Sequence, residues 1–284
     1  MRNMLHHFWM VSVSVIALAT TALADGDMPT DVYIIGVDSL QTLTSGTYAG
    51  LPNPNYRRLT LLYAHYTPGT EHFHGIGAWT YSGNRDNPIV RNTNLNNRIP
   101  ELGQREHGQR YLELRPGSGV FQGKWISGLD GGEYSNLRLR PFDYLFGFQN
   151  DERVNRLINS SRGRWRTMLP TDAIIGLQLM EISNGLNIAR RDGTPINLQP
   201  GQVLTLGTSV DWVFDPVFWV TDGTPEGVYT ASFRLLDMNT AQGYAPFRDS
   251  GVFYMDFYVV PEPASLIALG TGLAGLVRLR RRKQ

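Results

Sequence analysis

The chain contains no cysteine in its 284 residues. That excludes a disulfide framework and any thiolate metal site, and leaves the fold to be held by its core alone. Lysine is almost as scarce. Apart from Lys283 the only one is Lys124, so the basic character of the chain is carried by arginine. A surplus of positive charge is missing too. The formal net charge is +1, but Arg2, Arg278, Arg280, Arg281, Arg282 and Lys283 lie at the two ends. Without those six, 20 basic residues face 25 acidic ones, a net of −5. An acidic body argues against nucleic acid as a partner. There is no Ser-His-Asp nucleophile motif and no phosphate loop.

What is present begins at the ends. Residues 1–24 read as a secretory signal peptide: Arg2 gives a weakly positive start, Phe8 to Leu18 is largely apolar, and Ala22-Leu23-Ala24 is a small-x-small cleavage site for signal peptidase. At the other end, Pro261-Glu262-Pro263 precedes the uncharged run Leu266 to Val277, and Arg278 to Lys283 follows as a basic cluster. The run is shorter than the ~20 apolar residues of a comfortable membrane span. Its arginines suit the cytoplasmic headgroups, so it suits a transient anchor, with an ordinary single-pass anchor as the alternative. In order, spacing and position, this tail resembles the PEP-CTERM sorting signal of bacterial surface proteins. The resemblance implies processing by an exosortase, transient contact with the membrane, and export to the envelope, outer surface or matrix of a Gram-negative-type bacterium. The expected mature product is about residues 25–262.

Between the ends the pattern is that of strands. Thr60–His65 and His74–Tyr81 are β-rich runs bounded by turn residues, and Arg110–Leu114, Val120–Ile126 and Tyr134–Leu139 follow. Asn84–Gly108 is polar and reads as a long loop. Asn150–Leu169 is the best helix or linker candidate. Asp151 can cap it, Val154, Leu157 and Ile158 have helical spacing, and the pattern fails at Ser160-Ser161-Arg162-Gly163. Later runs at Ile174–Ile182, Val203–Leu206, Val210–Phe214, Val217–Val220, Gly227–Leu236 and Gly251–Val260 suggest an antiparallel sandwich. The expected architecture is all-β and antiparallel β-sandwich-like. It has a signal helix at 1–24, a β-rich block at 25–149, a linker or short helix at 150–170, a sandwich-like block at 171–260, and a tail at 261–284 with a short transmembrane helix.

The chemistry rests on four histidines. Once residues 1–24 are removed, His65, His72, His74 and His107 remain, three of them within ten residues. On a strand, His72 and His74 point to the same face. The turn at Pro68-Gly69 folds His65 back beside them. Three imidazoles meet the minimum for a Zn²⁺ site, and His107 is a candidate fourth ligand from the long loop. Copper and nickel come next, since imidazole suits all three. Four nitrogens would make a closed structural or storage site; three and a water would leave it open. Glu71 is a nearby oxygen ligand or supporting partner, although alternation puts it on the opposite face from His72.

Ile34-Ile35-Gly36-Val37-Asp38-Ser39-Leu40, Thr44-Ser45-Gly46-Thr47-Tyr48, His72-Phe73-His74-Gly75 and the tail together resemble a cyanobacterial-type family of PEP-CTERM proteins repressed by the zinc uptake regulator. The resemblance implies expression under zinc limitation, zinc capture or handling at the cell surface, and no known enzymatic activity. Other groups weigh less. Asp211, Asp215, Asp222 and Glu226 read as solvated loop acids, and Asp130-Gly131-Gly132-Glu133 as a turn. Trp79, Tyr81, Trp125 and Trp165 are candidate sugar-stacking aromatics for which core packing is the default. The competing expectation is therefore a structural or carbohydrate-binding matrix protein, with an extracellular polysaccharide as partner and incidental histidines. A metal-dependent hydrolase is the third.

Overall fold

The computed structural model describes residues 33–102, 111–128, 134–207, 212–239 and 244–260. The expected signal segment, the tail 261–284 with its apolar helix, and His107 lie outside them. The first strands are β1 (Tyr33–Val37), β2 (Leu59–His65), β3 (His72–Ile76), β4 (Thr80–Ser82), β5 (Ile89–Arg91), β6 (Arg98–Ile99), β7 (Leu112–Pro116), β8 (Lys124–Ser127) and β9 (Leu139–Pro141). Helix α1 (Glu152–Gly163) follows. After it come β10 (Ile175–Ile182), β11 (Asn187–Arg190), β12 (Val203–Gly207), β13 (Pro216–Thr221), β14 (Gly227–Asp237) and β15 (Phe253–Val259). The architecture is strand-dominated, as the punctuated runs of β-formers suggest. Among the described residues no helix is long and apolar enough to cross a membrane.

Two main sheets form. The smaller has the order β3-β2-β1-β9, and the larger runs β11-β13-β8-β7-β15-β14-β10-β12, with β6 also paired to β15. The two blocks expected from the sequence, 25–149 and 171–260, share the larger sheet, which takes β6, β7 and β8 from the first and β10 to β15 from the second. Most pairings are antiparallel, but β1 with β9, β15 with β6 and β15 with β7 are parallel. The segment expected to be one long loop, Asn84–Gly108, holds β5, which pairs back onto β4, and β6.

One core joins the sheets. Tyr33, Ile35, Leu61 and Tyr63 of the smaller sheet cluster with Phe218, Phe233, Phe253 and Phe257 of the larger. A second cluster lies on the other face of the smaller sheet, where Ile34, Leu62 and Phe73 meet Phe142, Leu145, Val154, Leu157, Ile158 and Trp165. β1 is therefore covered on both sides, which is why Tyr33-Ile34-Ile35-Gly36-Val37 is a continuous apolar run and not an alternating one.

Helix α1 follows its sequence signals closely. The Asp151 carboxylate accepts from the Arg153 and Val154 backbone N–H groups at 2.8 and 3.3 Å, satisfying donors that a helix start leaves open. Helical geometry breaks at Ser160, Ser161 and Arg162, the last two with left-handed φ of 52° and 60°. Glu71 docks the helix onto β3. It is buried, accepts from Arg156 Nε and Nη2 at 2.7 and 3.0 Å, and lies 3.7 Å from Arg153 Nε.

Candidate metal centre

The site is built on the β2–β3 hairpin. Its register pairs His65 with His72 and Tyr63 with His74. The connection is a tight turn in which Thr70 N–H donates to the Thr67 carbonyl at 3.0 Å, and Gly69 takes the φ of +85° that the reversal needs. Cross-strand partners share a face and alternate residues along a strand share a face. The three rings consequently converge, with centroids 5.2 Å (His65–His72), 5.1 Å (His65–His74) and 4.6 Å (His72–His74) apart. One nitrogen from each lies within 4.8 Å of the others. The rings are half-buried at the edge of the smaller sheet.

Their hydrogen bonds fix which nitrogens point inward. His72 Nδ1 is 2.7 Å from the Thr70 carbonyl oxygen, which only accepts, so Nδ1 carries the hydrogen. His74 Nδ1 is 2.5 Å from the Glu101 carboxylate, and the same reasoning applies. In the neutral rings Nε2 is then the lone-pair donor, and the two Nε2 atoms face one another at 2.7 Å, a distance that one N–H or a cation between them would satisfy. Lone pairs at that distance repel, and a positive species between them removes the repulsion. Two nitrogens bound to one tetrahedral ion stand about 3.3 Å apart, so the rings have only to part slightly to share one. His65 Nε2 lies 2.9 Å from the Thr67 hydroxyl. Below the cluster, Tyr63 stacks on Tyr134 at 4.4 Å and sits edge-on to His74 at 6.1 Å, giving the site an aromatic floor.

The donor set suits a borderline cation: imidazole nitrogens inward, with a backbone carbonyl and a carboxylate holding two of their outer N–H groups. Of the residues singled out from sequence, His65, His72 and His74 come together, and His107 lies outside the described residues. Glu71 is turned to the opposite face and belongs to the helix contact. Its carboxyl is held at about 2, first by the Arg156 hydrogen bond. The supporting carboxylate is instead Glu101, buried and 27 residues from His74. Its Oε1 is also buried and has no hydrogen-bond partner among the described residues. Nothing local in the sequence marks it out, since it is one acid in a polar stretch. Among the described residues the other acids do not gather into a site, and Asp211 lies outside the described residues. Asp215 pairs with Arg138 and Arg191, Asp222 accepts from Trp125 Nε1, and Glu226 accepts from the Tyr258 hydroxyl.

The family model of the PEP-CTERM protein-sorting motif matches residues 259–283. No curated protein and no solved structure matches the chain.

Proposed function

We propose that this PEP-CTERM protein, exported, processed by exosortase and held at the membrane through its tail, carries a zinc site made by His65, His72 and His74 and serves zinc capture or handling at the cell surface. The support is the pair of inward Nε2 atoms at 2.7 Å, each backed by an acceptor on its Nδ1. Such an arrangement is costly when empty of positive charge and favourable around a cation. Zn²⁺ fits first because it takes neutral imidazole without demanding a d-electron geometry. Bound there, it would act as a Lewis acid or as cargo. The three histidines would hold it, while Glu101 and the Thr70 carbonyl would orient the rings. The reading is of a binding protein.

Calorimetry of the exported protein with Zn²⁺ tests this. About one ion per chain is expected at micromolar concentration, and binding should vanish in the His72→Ala/His74→Ala double variant. Glu101→Gln should keep the stoichiometry and weaken the affinity by about 10- to 100-fold, the usual cost of losing a supporting partner. If the wild-type protein takes up no zinc at micromolar concentration, the reading fails.

A further inference from the structure

On the reverse side of the same strand lies a second feature. Phe73, between His72 and His74, points away from them and lines a cleft of about 310 Å³. That volume is at the lower end of small-ligand pockets, ~300–1,000 Å³, and has room for a mono- or disaccharide. Tyr48 and Tyr81 line it with half-exposed rings, 5.3 Å apart and inclined at 46°. Their hydroxyls are already committed, donating to the Gly83 and Pro52 carbonyls at 2.8 and 2.9 Å. Ring faces, held rigid, are what these two tyrosines still offer.

Two residues of the lining each carry one unpaired polar atom. Trp79 Nε1 and Asn94 Oδ1 are shielded from water, and neither has a hydrogen-bond partner among the described residues. One is a donor and the other an acceptor. Buried polar atoms are normally paired, so each exception calls for a reason. A sugar hydroxyl donates and accepts at once, and the apolar faces of pyranose rings stack on aromatic ones. Charge narrows the class further. Arg164 is the only charged side chain lining the cleft among the described residues, and it is paired with the buried carboxylate of Asp38. The wall therefore offers no free charge to a uronate, sulfate or phosphate. Ser161, on the same wall, has the left-handed backbone of a non-glycine residue, a strain that concentrates at functional sites.

We infer that this cleft is a binding site for a neutral saccharide, separate from the metal site and facing the opposite side of the sheet. The experiment is titration of the full exported protein, in chelator, with neutral cello-, malto- and xylo-oligosaccharides and with an acidic uronate oligosaccharide, read by calorimetry and tryptophan fluorescence. Saturable binding of at least one neutral oligosaccharide is expected, unchanged in the His72→Ala/His74→Ala variant. Trp79→Phe keeps the ring and removes the N–H, and should weaken it about tenfold, the worth of one hydrogen bond. Tyr81→Ala, checked for folding by circular dichroism, should weaken it at least as much. Binding only of the acidic oligosaccharide, binding of none, or neutral binding indifferent to both variants overturns the proposal.

Discussion

At the scale of single residues, Glu71 and Glu101 show how little identity says about role. Both are buried acids near the histidines. Glu71 is adjacent to His72 in sequence, yet strand alternation sends it to the face where Arg156 waits. Glu101 is remote in sequence and reaches His74 because β6 brings the chain back to the sheets. Alternation along a strand is legible from sequence. A contact made by chain return is not, and no local pattern encodes it. The Glu71 assignment has a measurable consequence. Its carboxyl is lowered from 4.5 to about 2 chiefly by the Arg156 hydrogen bond, so its stabilising effect is complete above pH 4.5 and is lost as pH falls towards 2. In urea unfolding between pH 6 and 2, Glu71→Gln should be less stable than wild type at the upper end, with the gap closing towards the lower. A gap that stays constant across this range would remove Glu71 from its assigned role.

Among the elements, α1 and the β2–β3 hairpin are the parts best written in the sequence. Asp151, the Val154-Leu157-Ile158 spacing and the Ser160–Gly163 break each act locally, so each is readable locally, and the same is true of the turn at Pro68-Gly69. Replacing Asp151 by alanine leaves two backbone donors of α1 without their acceptor, and should lower the unfolding free energy by about 1 kcal/mol, measured by chemical denaturation. Less legible were β1, whose continuous apolar run lacks the alternation of a half-exposed strand, and β11, which is short. Tyr134–Leu139 reads as a strand but pairs only at its end, where Leu139 begins β9. Tyr134 has a φ of 67°, incompatible with an extended backbone.

For the molecule as a whole, the β character of the chain was visible in its runs, while the sharing of one sheet by both halves was not, because pairing between distant strands leaves no trace in composition or spacing. Phe257 in β15 stacks on Phe218 in β13 at 4.5 Å, within the core that joins the two sheets. Phe257→Ala should cost about 3–5 kcal/mol. Because that core is common to both halves, denaturation followed by tryptophan fluorescence and by circular dichroism should give one coincident transition. Two separate transitions would mean that the halves hold themselves up independently. The position of β15 has a mechanical corollary. It lies inside the larger sheet, antiparallel to β14 on one side and parallel to β6 and β7 on the other, and the sorting motif begins at its last residue, Val259. Any pull through the tail runs along this strand and loads its flanking hydrogen bonds in shear, all together, so the tether is attached where the body resists tearing and not where it would unzip.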